Sequence, residues 1–511
     1  MIPEWVTEEL QTLDLGDARR DKRLMTVLAD LAPQPTVSLP AAVGGGRAET
    51  EAVYRFFEND HFDFTDILTP HCDATLERIR AEPVVVLAQD TSEIDLTRPK
   101  QQVAGAGPLD EGPRRGCLLP ALHAFTEAGV ALGTVGAETW ARVDQPRGAA
   151  KQLALKKNRK KKRLQTPIED KESQRRVDGM HLAQGIAAEV PDTRVILVSD
   201  SEADIFELLV AGQFPDGQTA PPTGETAAAP AHAEWIVRGC QDRAVLPDVP
   251  AKETSPDDAE TRECLKTVLA KVAATPVLKS YEVRVRGRDP KVSCETRGRR
   301  QARQSRAASV EVRACSLTLR APSRPDRKLP AVTLNVVLVR EIDPPEGEEP
   351  IEWLLLTSLP IDTPEQVLRV ITTYALRWQI EIFFRVLKQG CRLEARRFET
   401  LDNVWRYLAV ALVISWRTLF VMRMGREFPD LSCEAVFEVS EWKSVYQVTQ
   451  KKPPPKTPPT LREMVRMVGQ LGGFVNRSIG AMPGVETIWK GLQRMHDMAL
   501  CWDAFGPTNS G

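Results

Sequence analysis

Three acids and a set of bases have the types and spacing for chemistry. Asp90 closes the apolar run Val84-Val-Val-Leu-Ala-Gln89, and Asp200 closes Arg194-Val-Ile-Leu-Val-Ser199. Glu381 sits in Tyr374-Ala-Leu-Arg377-Trp378-Gln-Ile-Glu381-Ile-Phe-Phe-Arg385-Val-Leu-Lys388. Carboxylates gathered in a dry crevice repel one another unless cations compensate. Oxygen-only coordination suits Mg2+ or Mn2+, and two such ions about 4 Å apart can activate an attacking oxygen and stabilise a leaving oxygen on one phosphate. Arg377, Arg385 and Lys388 add cations that a glycosidase carboxylate pair would not need. The combination points to a polyanionic substrate and to phosphodiester chemistry.

Taken singly, each acid also has a plain structural reading. Asp90 and Asp200 can cap or turn the chain after a strand. Glu202 and Asp204 can favour a helix N-terminus, and Glu381 can belong to a structural salt bridge. Their joint occurrence is what favours catalysis.

The elements that must position these groups follow from pattern. Near-continuous Val and Leu before Asp90 and Asp200 predicts two strands buried on both faces, as at the centre of a parallel α/β sheet. Residues 374–388 contain good helix formers and no breaker, which predicts one helix with Tyr374, Arg377, Glu381, Arg385 and Lys388 on a narrow stripe. Gly116–Phe125 and Val130–Trp140 read as strands joined by a turn at Glu127–Gly129. Asp17 is set to cap a helix bearing Arg19, Arg20, Lys22 and Arg23, a basic face for DNA or merely for solvent. Between 240 and 360 the β-rich runs 281–286, 309–313, 316–320, 332–339 and 353–357 read as a mostly antiparallel insertion into the core. Lys451–Pro459 reads as a stiff linker ahead of C-terminal helices.

A chain of 511 residues exceeds one ordinary core, so two or three domains are expected. A net charge of −2 argues against a simple nucleic-acid coating protein. The charge is uneven, with eleven Lys or Arg from Lys151 to Arg176 and a second cluster from Arg284 to Arg306. Nine dispersed Cys without a CxxC pair, and six His, give no zinc pattern and no disulfide scaffold. No long apolar span or signal peptide is read, which places the chain in the cytoplasm with nucleoid DNA and away from membranes.

On these residues the chain resembles the DDE transposases of bacterial insertion sequences, in particular the cut-and-paste branch carried by composite kanamycin-resistance transposons. The resemblance rests on Gln89-Asp90-Thr91-Ser92, on Asp200-Ser-Glu-Ala-Asp204, and on the Tyr374, Arg377, Glu381, Lys388 spacing followed by Asp402-Asn403. Gly16–Arg20, Ala52–Phe56, Glu341–Pro345, Trp353–Thr357 and Leu471–Phe474 extend it over nearly the whole chain. It implies an α/β, ribonuclease-H-like catalytic core interrupted by an antiparallel β insertion, between helical N- and C-terminal domains. The implied division is an N-terminal DNA-end-binding domain over 1–75, the core over 76–239 and 361–448, the insertion over 240–360, and a linker with a dimerisation region over 449–511.

The resemblance further implies a metal-binding triad of Asp90, Asp200 and Glu381 carrying two Mg2+ ions, with Mn2+ able to substitute. The implied substrates are the inverted-repeat ends of a mobile element and target DNA, handled by a homodimer. The implied reaction is nicking, hairpin-mediated excision and strand transfer. Tyr374, Arg377, Arg385 and Lys388 would hold phosphates, and Trp353 would stack on a flipped base, unless it is simply a core residue of a strand edge. Arg19, Arg20, Arg23, Arg238, Arg299, Arg300, Arg303 and Arg306 would be further DNA contacts. Ser201 stands where such enzymes more often carry Arg, and the stretches 156–163 and 211–232 look longer than usual. A hydrolytic nuclease without strand transfer, or a non-catalytic DNA binder, would share many of these features.

Overall fold

The computed structural model describes residues 2–98, 100–110, 112–144, 166–214, 232–247, 266–285, 304–325, 327–348, 350–475 and 480–506. The chain opens with helices α1 (Glu4–Glu9), α2 (Ala18–Leu31), α3 (Leu39–Ala42), α4 (Arg47–Phe57) and α5 (Phe64–Arg80). Strands β1 (Val84–Asp95), β2 (Gly107–Pro108), β3 (Arg115–Thr126) and β4 (Ala131–Ala137) follow. Next come α6 (Gln174–Glu189), β5 (Arg194–Ser199), α7 (Phe206–Gln213), β6 (Glu234–Arg238), α8 (Val268–Ala273), β7 (Lys279–Val285), β8 (Arg306–Leu319), β9 (Val332–Glu341), β10 (Glu352–Thr357) and α9 (Pro364–Ala375). The chain closes with α10 (Trp378–Arg385), α11 (Leu401–Glu427), α12 (Val439–Gln450), α13 (Leu461–Leu471) and α14 (Val485–Phe505). These elements form two compact units. The first comprises Met1–Gln152, Val190–Arg194 and Leu376–Gly511, and the second Leu153–Glu189 and Val195–Ala375.

In the first unit, Asp17 caps α2 as expected, accepting from the Arg19 N–H at 2.8 Å. The apolar side of α2 then buries Leu24, Val27, Leu28 and Leu31. Val85 to Ala88 of β1 are fully buried, in line with their unbroken apolar run. β1 pairs antiparallel with β3, placing Asp90 opposite Ala121, and β3 turns back into β4 through Gly129 at φ 83°. α11, capped by Thr400, runs through the core. It is long and apolar enough to cross a membrane by length and composition, so the expectation that no such span exists gives way. Most of its apolar stretch is buried inside the protein.

In the second unit, β5 lies parallel to β6, and β10, β9, β8 and β7 continue antiparallel from there. The strands read as a mostly antiparallel insertion into the core thus pair antiparallel and extend the sheet from β6. Leu354–Leu356 are buried between β6 and β9, a place that suits a run with no polar alternation. The runs 309–313 and 316–320 are one strand, because Ala314-Cys315 between them carries no turn residue. Mixed parallel and antiparallel strands with flanking helices give the α/β, ribonuclease-H-like class that the sequence implies.

Candidate active site

Arg377 is the hub of the first unit's acidic cluster. Its Nη2 donates to Glu381 Oε1 at 2.8 Å, and its Nη1 lies 3.4 Å from Asp90 Oδ2. The guanidinium is buried at 6% exposure, whereas the Glu381 side chain is 42% exposed. One strand-borne acid and one helix-borne acid, 291 residues apart in the chain by their numbers, thus share a single buried cation.

The single helix predicted over 374–388 is broken. α9 stops at Ala375 and α10 starts at Trp378. Between them the Gln379 N–H bonds Leu376 O at 2.9 Å and the Ile380 N–H bonds Arg377 O at 3.1 Å, the tighter i to i−3 pattern. Every residue here favours helix, so propensity alone could not place the break. The break coincides with Arg377, whose side chain turns to the two carboxylates. Beyond α10, Val386–Gly390 is a π-helix that carries a half-buried Lys388, a form frequent at functional sites.

This break divides the predicted stripe. Tyr374 belongs to the second unit and is buried at 2% exposure, its ring edge-on to Trp353 at 5.8 Å and 67°. Trp353 is half-buried, on a strand paired on both sides rather than at an edge. On α10, Trp378 is 51% exposed and follows the spacing of Glu381 and the exposed Arg385, with the Arg377 guanidinium 5.5 Å from its ring. The sequence reading missed Trp378, although its position three residues before Glu381 and seven before Arg385 sets it on their face.

Asp200, in the second unit, caps the short turn Ser201–Ala203 by accepting from the Glu202 N–H at 3.0 Å. Asp204 is different in kind. Its buried carboxylate accepts from the Cys240 and Gln241 N–H groups at 2.8 Å, and from Arg243 Nη2 at 2.6 Å and Nε at 3.0 Å. It anchors the loop after β6, a role its sequence position as a helix-start acid did not suggest. Glu202 pairs with Arg176 at 2.6 Å.

The basic candidates divide as well. Arg19 and Arg23 are exposed on α2, although Arg19 also pairs with Asp17, while Arg20 donates to Leu15 O at 3.1 Å. Arg238 is half-buried and donates to Glu352 O at 3.2 Å. Arg306, expected on DNA, pairs with buried Glu341 and with Glu348 at 3.0 Å, because it starts β8 beside the end of β9. Arg299, Arg300, Arg303 and the 156–163 run lie outside the described residues, as does most of 211–232.

Among the described residues no group of three or more His, Cys, Asp or Glu side chains forms a ready metal-ligand set. Asp90 and Glu381 still fit a hard cation. Their donors are all carboxylate oxygens, and a guanidinium already stands between them as a positive charge.

A family model described as Transposase DDE domain matches residues 156–416, more than half of the chain. The chain belongs to the DDE transposases. It is a DDE-type DNA transposase, a metal-dependent polynucleotidyl transferase and endonuclease of the cut-and-paste kind. Residues 2–62 match a model described as Transposase DNA-binding, and residues 413–501 one described as Transposase Tn5 dimerisation domain. The transposase therefore carries its own DNA-binding and dimerisation segments. Asp200 and Glu381 fall inside the DDE match and Asp90 falls before it. The cryo-EM structure of piggyBac transposase synaptic complex with hairpin DNA is similar over 82% of this chain and 67% of that chain, at 11% identity and a TM-score of 0.30. A likeness at that score assigns no residue roles.

Proposed function

We propose that this transposase excises a mobile element and joins it to new DNA with Asp90, Asp200 and Glu381 as its catalytic acids. The observation that carries the reading is the sharing of Arg377 by Asp90 and Glu381. Those three carboxylates would hold two Mg2+ ions, with Mn2+ able to substitute, which when bound polarise the phosphate and lower the pKa of an attacking water. In the proposed sequence, water opens one strand at the element's end and frees a 3′-OH. That hydroxyl attacks the opposite strand, forming a new phosphodiester and releasing the flanking DNA, so that the end is closed as a hairpin. A second water reopens the hairpin, and the 3′-OH then attacks target DNA.

Arg385 and Lys388 are assigned to phosphate oxygens. Arg377 has the planar fork to hold two of them when it turns from Glu381. Trp353, backed by Tyr374, is assigned to an unstacked base, and exposed Trp378 offers a second ring beside Glu381. Arg19, Arg20 and Arg23 are assigned to the DNA ends. We propose the division into 1–75, 76–239, 240–360, 361–448 and 449–511 as functional segments, and action on nucleoid DNA in the cytoplasm.

The test is cleavage and strand transfer on DNA carrying the inverted repeats that flank the gene, in Mg2+ and in Mn2+. Nicks, hairpin ends and joined products with the wild type, all lost in Asp90→Ala and Glu381→Ala, are expected. Cut ends that never become hairpins or joined products would reduce the protein to a nuclease, and products from Asp90→Ala would remove the triad.

A further inference from the structure

Glu9, the last residue of α1, lies within the DNA-binding match and is buried at 2% exposure. Burial pushes its carboxyl up, but His71 and Arg78 outweigh that and hold it below the usual range. Arg78 donates to both of its oxygens, at 2.9 and 3.0 Å, and His71 Nδ1 makes a close hydrogen bond to Oε1. The backbone N–H of Thr134 points at His71 Nε2 at 2.9 Å. An amide nitrogen can only donate, so Nε2 is the acceptor and the imidazole proton sits on Nδ1, facing Glu9. The Thr134 hydroxyl in turn lies 3.1 Å from Nδ1 of His123.

His123 is fully buried on β3, paired in register with Ala88 of β1, two residues before Asp90. Residues two apart on a strand share a face, so Asp90 and Ala88 look to the same side. The His123 ring lies 4.2 Å from the Phe383 ring at 34°, and Phe383 is two residues past Glu381 in α10. Burial drives the His123 imidazole well down, with the Arg78 charge adding to the effect, and keeps it neutral. Its Nε2 has no hydrogen-bond partner among the described residues.

We propose that His123 is a positioning residue for Glu381, set by a buried hydrogen-bond chain that starts at Glu9 in the DNA-binding segment. The inference rests on the reading of Glu381 as catalytic. Apolar side chains would pack the same space without the desolvation cost of an acid, two imidazoles and a guanidinium. The backbone is also shaped to serve the chain. The β3–β4 pairing shifts register on either side of His123, between Leu122 and His123 and between Ala124 and Phe125, a device that re-aims side chains. Gly133, at φ 145°, lets β4 approach α5, since a Cβ there would stand 1.9 Å from Thr75 Oγ1. That approach brings the Thr134 amide to His71. The Phe383 side of α10 rests on His123, the tilt of His123 is fixed by Thr134, and Thr134 is held through His71 by Glu9.

The discriminating variants are Thr134→Val, which keeps shape and deletes only the hydroxyl, and Thr134→Ser, which keeps the hydroxyl. Full-length protein is bound to DNA ends, cleavage is followed in a single turnover, and amide hydrogen exchange is measured over 378–390. Thr134→Val is expected to cleave about tenfold more slowly with end affinity within about twofold of wild type, and to exchange faster over 378–390. Thr134→Ser is expected to match wild type in both. Equal rates for Thr134→Val and wild type, or a Thr134→Ser as slow as Thr134→Val, would overturn the proposal. His123→Phe, which keeps the ring on Phe383 and loses the nitrogen facing Thr134, gives the same test should Thr134→Val not fold. Glu9→Gln extends the test to α1: faster exchange over 378–390 is expected, and a change confined to residues 64–80 would overturn the link. If the wild type cuts no DNA end, the catalytic reading falls, while the exchange comparison still decides the chain.

Discussion

Asp204 in the second unit and Glu381 in the first each meet an arginine, at 2.6 and 2.8 Å, and from there they diverge. Asp204 is buried and accepts from two backbone N–H groups and from two guanidinium nitrogens. A carboxylate has about four acceptor positions, so Asp204 is filled. Glu381 remains 42% exposed with one ion pair to a cation that it shares with Asp90. A saturated carboxylate holds a loop and cannot take a ligand without releasing it. An open carboxylate beside a shared cation is available for chemistry.

Substitution at each acid should separate the two roles, and the largest stability effect is expected at Asp204. Asp204→Ala leaves Arg243 without its buried partner and two N–H groups unmet, a loss of about 3–5 kcal/mol in denaturant unfolding. A stability change under about 1 kcal/mol would mean that Asp204 is not the anchor. Arg377→Met should cost less, about 1–2 kcal/mol without divalent ions, because Asp90 and Glu381 then face each other without their cation. Added Mg2+ should raise the melting temperature of this variant more than that of wild type. An equal rise in both would mean that Arg377 does not stand in a cation's place.

A third carboxylate sharpens the contrast by titration. Burial pushes Glu441 of α12 up to about 7 from an ordinary 4.5, with Glu438 and Asp503 adding to the rise and the Glu438 backbone and Arg417 opposing it. A folded-state pKa above the unfolded one stabilises fully below about 4.5, and the benefit is lost as pH rises through about 7. Glu441→Gln should therefore flatten the wild-type decline in melting temperature over that window. Parallel curves for the two proteins would contradict the assignment. The smallest effect is expected at exposed bases. Arg19→Ala with Arg23→Ala should weaken end binding about equally for all sequences and lower the log–log salt slope by about 2. An unchanged slope would remove α2 from the DNA interface.

The strands at Val84–Gln89 and Arg194–Ser199 were legible because their apolar runs match their burial, and Asp200 follows β5 as read. β1, however, continues past Asp90 to Asp95, so Asp90 lies within its strand and not at its end. The Asp17 cap and the Gly129 turn were legible because each rests on one residue type in one backbone state. The break at Leu376-Arg377 was not, since the local residues favour helix and the Asp90 partner of Arg377 lies 287 positions away. A separation of 62 residues likewise hides the Glu9–His71 bond, and nothing in the local pattern distinguishes buried His123 from any other strand histidine. The pairing of Arg306 with Glu341 was hidden as well, since β9 brings Glu341 beside it from 35 positions away. Asp200 and Asp204 illustrate the limit most directly. Four residues separate a turn cap from a saturated anchor, and only the chain after β6 tells them apart.

The central claim is that Asp90, Asp200 and Glu381 act together, and Asp200→Ala tests it most directly because the other two already share Arg377. Nicking of pre-bound DNA ends in Mg2+ should fall by about a thousandfold or more while end binding and melting temperature stay near wild type. Nicking by Asp200→Ala at the wild-type rate would contradict it.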